Sequence, residues 1–563
     1  MTISERNDFM NTKMNSMRKL AAVMAVVSSV TSLTACGAAS TDEADSYKRG
    51  QNNVQYNSTE AAAGEYKYAD YDEAAADECA PAEYDEALAD NGNFEQNDEE
   101  YNYISENGYT AVSSAPLSTF SADVDTASYT NVRRMIDNGS DVPPDAVRIE
   151  EFINYFDYDY ADPADGEPFA VHTELSDCPW NSETQLLMLG INTKGFDAVL
   201  DERPPMNLVF LIDVSGSMYD DNKLPLVQKS FSMLTDDLTA ADRVSIVTYA
   251  GSDEVVLEGA DGNDRKQILK AIDDLEAGGS TAGAAGITTA YEIAEKYFID
   301  GGNNRVILAT DGDLNVGLSS ESELTRLIED KRESGVFLSV LGFGTGNYKD
   351  NRLEALADHG NGNYSYIDSE NEAKRVLVDE MSGTLFTAAK DVKFQLEFNP
   401  ANVKGYRLIG YENRIMAAED FNDDTKDAGE IGAGHSVTVL YEIVPVDSDM
   451  ELGESKLKYS SDSSGVMGDE LLTVNIRYKE PDSSESRLLT YPVNKSLYSD
   501  KMSANMNFAS CVAEFGMLLR NSSYIGDITY KDVSSQLSGY DYSDDDYKDE
   551  FIYLVNTMKR REK

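Results

Sequence analysis

Three side chains with oxygen atoms follow a run of apolar residues typical of a buried strand. Asp213, Ser215 and Ser217 lie within five residues, directly after the apolar residues 208–212. One carboxylate and two hydroxyls on a tight loop are oxygen ligands of the kind that a hard divalent cation takes. The loop is therefore predicted to belong to a metal-dependent binding site.

Two further segments carry residues of the same chemistry. Thr281 lies in the glycine-rich segment 278–283, and Asp311 follows the apolar residues 306–310. The loops at the carboxyl ends of parallel strands meet where the strand order reverses, which is where ligands bind in such sheets. The three segments are therefore expected to converge.

Residues 205–385 alternate apolar runs with amphipathic stretches. The predicted strands are 208–212, 244–249, 306–310 and 336–343, and apolar residues at helical spacing separate them. Strands that are apolar throughout are expected where helices cover both faces of a sheet. The fold class is predicted to be α/β, with a doubly wound, mostly parallel sheet.

These motifs resemble the von Willebrand factor type A (VWA) domain with a complete metal-ion-dependent adhesion site. The family pattern is D-x-S-x-S, a threonine in a glycine-rich loop, and T-D-G, all present here in that order. The resemblance implies that the metal-site residues are Asp213, Ser215, Ser217, Thr281 and Asp311. It implies Mg²⁺ as the ion, with Ca²⁺ or Mn²⁺ possible, and an open position for an Asp or Glu carboxylate of a protein partner.

The resemblance extends beyond this domain. Residues 120–129 (FSADVDTASY), 148–156 (RIEEFINYF) and 360–364 (GNGNY) are similar to signatures of lipid-anchored bacterial VWA proteins with flanking amino- and carboxyl-terminal regions. The match runs from residue 116 to the end of the sequence. It implies an amino-terminal region over 116–204 and a carboxyl-terminal domain over 390–563.

Both flanks contain strand-like runs. Those at 169–175 and 185–191 precede the α/β domain, whereas 394–398, 406–409, 436–441 and 472–478 follow it. We expect the VWA domain to be inserted into one β-rich domain built from both flanks. Helices with apolar faces, one containing Phe508 and Phe515 and one containing Phe551 and Leu554, are expected to close the chain.

The amino terminus has the pattern of an export signal. Lys13, Arg18 and Lys19 precede an uncharged stretch that ends in Leu-Thr-Ala-Cys at residues 33–36, which resembles a lipoprotein cleavage site. A signal peptide over 1–35 and lipidation of Cys36 are predicted; an ordinary secretory signal and a short anchor helix are the alternatives. The acidic, Tyr-rich residues 36–115 are predicted to form a disordered tether.

The charge balance excludes one class of partner. The sequence has 102 acidic and 47 Lys and Arg residues, a formal charge of −55, which repels nucleic acid and attracts divalent cations. Besides Cys36 and Cys79, only Cys178 and Cys511 are present, and a disulfide between them is possible in an exported protein. Nothing in the sequence indicates an oligomeric state.

Three functions fit these features. The leading one is metal-dependent binding of a protein at the cell envelope, as an adhesin or assembly factor. A scaffold in which the metal only stabilises the domain is the second, and a metal-dependent phosphohydrolase with Asp213 as nucleophile is the third. Only three histidines exist, none in a catalytic motif, and no cationic phosphate clamp is evident beside the loop, so the protein is not expected to be an enzyme.

Overall fold

The computed structural model describes residues 99–195, 203–279, 283–312, 321–332, 334–346, 348–380, 383, 385–426, 428–453, 468–481 and 483–562. In chain order the strands are β1 (Thr110–Ala111), β2 (Leu117–Ser121), β3 (Phe169–Asp177), β4 (Gln185–Thr193), β5 (Met206–Asp213), β6 (Arg243–Tyr249), β7 (Asp253–Asp261), β8 (Asn303–Thr310), β9 (Phe337–Phe343), β10 (Tyr364–Ile367), β11 (Thr387–Phe398), β12 (Val403–Ile409), β13 (Gly429–Gly432), β14 (Ser436–Pro445), β15 (Glu470–Lys479) and β16 (Ser486–Asn494).

The helices lie on the faces of these sheets or at the end of the chain. They are α1 (Ala127–Asp137), α2 (Ile149–Asn154), α3 (Leu224–Leu234), α4 (Arg265–Asp273), α5 (Gly283–Lys296), α6 (Glu321–Arg332), α7 (Asp350–His359), α8 (Glu370–Lys374), α9 (Ala504–Arg520), α10 (Tyr530–Leu537) and α11 (Asp546–Arg561). Within the described part of the chain, no helix is long and apolar enough to cross a membrane.

The VWA-like sheet has six strands in the order β10-β9-β8-β5-β6-β7. All neighbours are parallel except β6 and β7. Every residue of β5 is buried because apolar clusters cover both faces: α3, α4 and α8 contribute to one, and α5, α6 and α7 to the other. The predicted doubly wound α/β fold is therefore confirmed.

The strands that follow β5 in sequence lie on both sides of it in the sheet. The chain runs through β6 and β7 on one side and returns to β8, β9 and β10 on the other. The strand order thus reverses between β5 and β8, and this is where ligands bind in an open α/β sheet.

Two strands of this sheet were not predicted. The edge strand β7 pairs antiparallel with β6 and exposes much of its length, and β10 has only four residues. Neither has the continuous apolar run that marked the central strands.

Both flanks of the VWA domain build the same β sandwich, as expected. β3 and β4 precede the domain and join β14 and β12 in one antiparallel sheet, whereas β2 pairs with β11 in the other. One apolar cluster contains residues of both sheets, including Phe120, Leu189 and Val439. The insertion of the VWA domain into a domain made from both flanks is confirmed.

The closing helices pack as their apolar faces indicate. Phe508 and Phe515 of α9 and Phe551 of α11 lie in one cluster with Phe152 of α2 and Leu440 of β14. The helices therefore cover a sandwich sheet together with the amino-terminal helices.

The predicted tether ends earlier than residue 115. Residues from Glu99 onward are placed against the folded domains: Arg134 contacts Glu99 at 3.0 Å, and Thr110 pairs with Tyr406 in the sheet. Val112 is 2% exposed. The composition of this segment resembles that of the preceding acidic residues, so its order comes from contacts that composition does not reveal. The signal peptide, Cys36 and residues 36–98 lie outside the described residues.

Buried ion pairs join the VWA domain to both flanks. Arg148 of the amino-terminal flank contacts Glu151 at 2.7 Å, Asp350 at 2.7 Å and Glu354 at 2.8 Å, the last two in α7. Arg414, after β12, contacts Asp123 at 2.8 Å and also reaches Glu354 at 3.4 Å. We call Arg148, Arg414 and these four carboxylates the junction cluster. It contains parts of the FSADVDTASY and RIEEFINYF signatures.

The two described cysteines are unbonded. Cys178 and Cys511 are both buried, in the same apolar cluster, and both are free thiols. Burial raises the pKa of the Cys178 thiol to about 12. The disulfide considered from the sequence is not formed in this structure.

Candidate metal site

Two aspartates mark the ends of neighbouring strands. Asp213 ends β5, and Asp311 follows β8, with which β5 pairs in parallel so that Ile212 lies opposite Ala309. Asp213 is fully buried and Asp311 is 5% exposed. The two carboxylates therefore lie at the same edge of the sheet, where its strand order reverses.

The loop after β5 is folded around the Asp213 carboxylate. Its Oδ1 accepts a hydrogen bond from the Ser215 amide at 2.8 Å, and the Ser215 and Ser217 hydroxyl oxygens are 3.0 Å apart. A short 3₁₀ turn, Gly216–Tyr219, begins between the two serines. The carboxylate and both hydroxyls thus lie on a single turn of backbone.

The glycine-rich loop is bonded to this turn by its backbone. The Gly278 amide donates to the Val214 carbonyl at 2.7 Å, and the Gly216 amide donates to the Gly279 carbonyl at 3.1 Å. Gly279 has a φ of +86°, a conformation that glycine adopts readily. Thr281, two residues farther on, lies outside the described residues.

Thr310 is a site residue for which no separate role was predicted. Its hydroxyl lies 3.4 Å from Asp213 Oδ2 and accepts a hydrogen bond from the Gly312 amide at 3.2 Å. Gly312 has a φ of +93°, and an added Cβ would lie 2.8 Å from the Lys349 amide nitrogen. The threonine and glycine of T-D-G therefore set the path of the chain around Asp311. Their positions in the T-D-G motif were the sequence signal from which this role could have been predicted.

Lys223 is the second functional residue that the sequence did not reveal. Its Nζ lies 3.0 Å from Asp311 Oδ2 and donates to the Ser217 carbonyl at 3.0 Å. No cationic phosphate clamp was expected beside the loop, and the ammonium that the described residues place there is that of Lys223. The ammonium is used by a carboxylate and a carbonyl of the site itself, and its side chain is only 10% exposed.

Burial governs the protonation of Asp213. Removal from water raises the pKa of its carboxyl to about 6, while hydrogen bonds from Ser215 lower it and the nearby Asp311 carboxylate raises it. A cation bound here would favour the ionised form by direct attraction. The site is thus electrostatically suited to a positive ion.

The donor set fits a hard divalent cation. Asp213, Ser215, Ser217 and Asp311 offer only oxygen atoms, and such an ion would supply a Lewis acid that accepts a further oxygen ligand. In the described residues no group of three or more His, Cys, Asp or Glu side chains is arranged to hold a metal. A site built on two carboxylates completed by hydroxyls is compatible with that finding.

Comparison with known proteins shows the family. The family model described as von Willebrand factor type A domain matches residues 207–379. The model described as von Willebrand factor matches 95–188, and that described as uncharacterized protein YfbK, C-terminal, matches 383–560. YfbK of Escherichia coli (strain K12) is 44% identical over 468 residues, which cover 81% of this chain and 80% of that protein. The chain belongs to the YfbK family.

Other similarities of this YfbK-family chain cover less of it. Protein sll0103 of Synechocystis sp. is 32% identical over 192 residues, which cover 34% of this chain and 44% of that protein. The solved structure of a von Willebrand factor type A protein from Catenulispora acidiphila is 17% identical, covers 64% of this chain and 82% of that one, and has a TM-score of 0.36. The family match over residues 207–379 shows that the chain contains a VWA domain, a type of domain that commonly mediates metal-dependent protein interactions.

Proposed function

We propose that this protein is an exported, lipid-anchored protein that binds a partner through a divalent cation held at its VWA domain. The cation, Mg²⁺ in the first instance, is held by Asp213, Ser215, Ser217, Thr281 and Asp311, and a partner's Asp or Glu carboxylate completes its coordination. Cys36 carries the lipid and anchors the chain outside the cytoplasm. The role is that of an adhesin or assembly factor.

The convergence of the D-x-S-x-S loop and Asp311 carries this proposal. Two carboxylates balance the charge of a divalent ion, and neutral hydroxyls leave it able to attract another carboxylate. Ser217 is exposed, so the loop is open to a partner. The VWA family membership supports the same reading.

Catalysis is the weaker alternative. Asp213 is the candidate nucleophile of a phosphohydrolase, but it is fully buried and receives the Ser215 amide. The ammonium of Lys223 is engaged by Asp311 and the Ser217 carbonyl rather than presented to a substrate. We therefore propose a binding protein and not an enzyme.

Crosslinking in intact cells followed by affinity capture tests the proposal. Partners captured by the wild-type chain should be lost both with EDTA and in Asp213→Ala. Asp220→Ala, an exposed aspartate seven residues away, is the control and should keep them. Partners that survive both treatments would contradict metal-bridged binding. Loss of thermal stability alone would favour the scaffold function.

A further inference from the structure

Lys223 occupies a fixed place beside the metal site. It lies directly before α3, and its Nζ is within 3.0 Å of both Asp311 Oδ2 and the Ser217 carbonyl oxygen. It is therefore bonded to the D-x-S-x-S loop and to the strand end that carries Asp311. It links two of the three segments of the site.

The aliphatic part of the Lys223 side chain packs against Gly344, where a larger residue would not fit. Gly344, after β9, has a φ of +77°, and a Cβ added there would lie 2.4 Å from Lys223 Cε. Lys223 as a whole is 8% exposed. A long flexible cation rarely becomes this buried unless it is paired. Its ammonium is thus a permanent part of the site rather than a surface charge.

The Lys223 ammonium changes the net charge of the site. Asp213 and Asp311 together would neutralise a divalent ion and leave no net charge. Among the described groups, Lys223, the two carboxylates and the ion together carry one surplus positive charge. A partner's carboxylate would remove that surplus.

We infer that Lys223 keeps the loaded site positively charged, so that the site holds its cation weakly alone and firmly only together with a partner's carboxylate. This role rests on the proposed function and deepens it: Lys223 is a positioning residue that acts through Asp311 and the charge of the ion. Unit charges a few ångströms apart near a protein surface interact strongly, so one ammonium is enough to shift both affinities about tenfold.

The test uses the full chain, with Mn²⁺ as the metal probe and acetate as the carboxylate probe. Lys223→Met should bind Mn²⁺ about tenfold more tightly than the wild type, and the Mn²⁺-loaded variant should bind acetate about tenfold more weakly. Water-proton relaxation reports both, because acetate displaces water from the bound ion. Lys223→Gln, whose amide can still donate to the Ser217 carbonyl, should show the same two shifts.

Lys229→Met is the matched control. Lys229 lies in α3, is 57% exposed and pairs with Glu370, away from the metal site. Its removal should leave both affinities unchanged. Melting curves without metal check that every variant is folded.

The outcomes separate the two proposals. Wild-type Mn²⁺ affinity, or weaker binding, in both Lys223 variants would overturn the role of Lys223 and leave the metal-binding function intact. A wild-type chain that binds neither Mn²⁺ nor Mg²⁺ would overturn the proposed function and the role of Lys223 with it.

Discussion

The metal site and the junction cluster are both made of buried carboxylates, but they balance their charge differently. In the junction cluster, arginines of the protein reach the carboxylates, with Arg148 contacting three of them. In the metal site, Asp213 has hydrogen bonds but no ion pair among the described contacts, and Lys223 contacts Asp311. The first cluster is completed by the chain itself, whereas in the second the described contacts pair no cation with Asp213.

Under the proposed function, this difference separates a structural acidic cluster from a binding one. Arginine is planar and offers several donors, so it can satisfy two or three carboxylates at once and close a cluster. Lysine supplies one point charge on a flexible stem. A site with one ammonium and hydroxyl neighbours retains the capacity to take a metal ion. Substitutions in either cluster test this difference.

Arg148→Met should have the largest effect. It leaves Glu151, Asp350 and Glu354 buried without their shared partner, and breaking such a pair costs about 3–5 kcal/mol. Urea unfolding should therefore show a loss of that size. Arg487→Met, at an arginine that is 59% exposed, is the control and should change stability by less than about 0.5 kcal/mol. A loss below about 1 kcal/mol for Arg148→Met would mean that the junction does not depend on this arginine.

Asp213→Asn should abolish stabilisation by Mg²⁺. A ligand present at a hundredfold excess over its Kd stabilises a protein by about 2.7 kcal/mol, and the variant loses the carboxylate that the ion requires. Unfolding with and without Mg²⁺ measures the difference. Asp220→Asn should keep the full Mg²⁺ effect. If Mg²⁺ stabilises Asp213→Asn as much as the wild type, the ion binds elsewhere.

The stability of the junction cluster should depend on pH. Burial raises the pKa of Glu151 to about 8 and that of Glu354 to about 7, although their arginine partners lower both. Between the unfolded pKa, near 4.5, and these values, the folded chain binds more protons than the unfolded chain, so stability falls as pH rises. Without metal, the free energy of unfolding should drop by about 2 kcal/mol from pH 6 to 7.

Glu151→Gln tests whether ionisation of Glu151 contributes to this pH dependence. The amide cannot ionise, so the fall in unfolding free energy over the same pH range should become smaller. Asp220→Asn, at an exposed carboxylate, should leave the pH dependence unchanged. A stability that rises from pH 6 to 7 in the wild type would show that the junction carboxylates are ionised throughout.

Thr310→Val should have the smallest effect. The substitution keeps the β-branched shape and removes the hydroxyl that lies between Asp213 Oδ2 and the Gly312 amide. A loss of about 1 kcal/mol in the free energy of unfolding is expected for one buried hydrogen-bonded hydroxyl. Thr425→Val, at an exposed threonine, controls for the shape change. No loss in Thr310→Val would show that its hydroxyl does not stabilise the loop.

Much of the fold was predictable from local pattern. The central strands β5 and β8 are apolar throughout because both of their faces are covered, and this is visible in sequence. The positions of Asp213 and Asp311 follow, since each ends such a strand. The edge strand β7 was missed because its residues are mixed in character and only two of its nine residues are buried.

The partners of charged side chains were not predictable. Lys223 reaches Asp311 across 88 positions of sequence, and Arg148 reaches Asp350 across 202. Such pairs depend on how whole elements pack, which composition and periodicity do not encode. The RIEEFINYF segment was recognised as a signature, but its part in the junction cluster emerged only from the folded arrangement.

The two connections of the inserted domain lie side by side, opposite the metal site. Asn303, the first residue of β8, contacts both connections. Its backbone amide donates to the carbonyl of Pro205, just before β5, at 2.8 Å, and its side chain donates to the carbonyl of Leu385, just before β11. The site lies at the other end of β5, about 25 Å away for a strand of this length. A pull on a bound partner would therefore act as tension along β5 and β8. It would be shared between two neighbouring covalent links, and the junction cluster would resist sideways rotation.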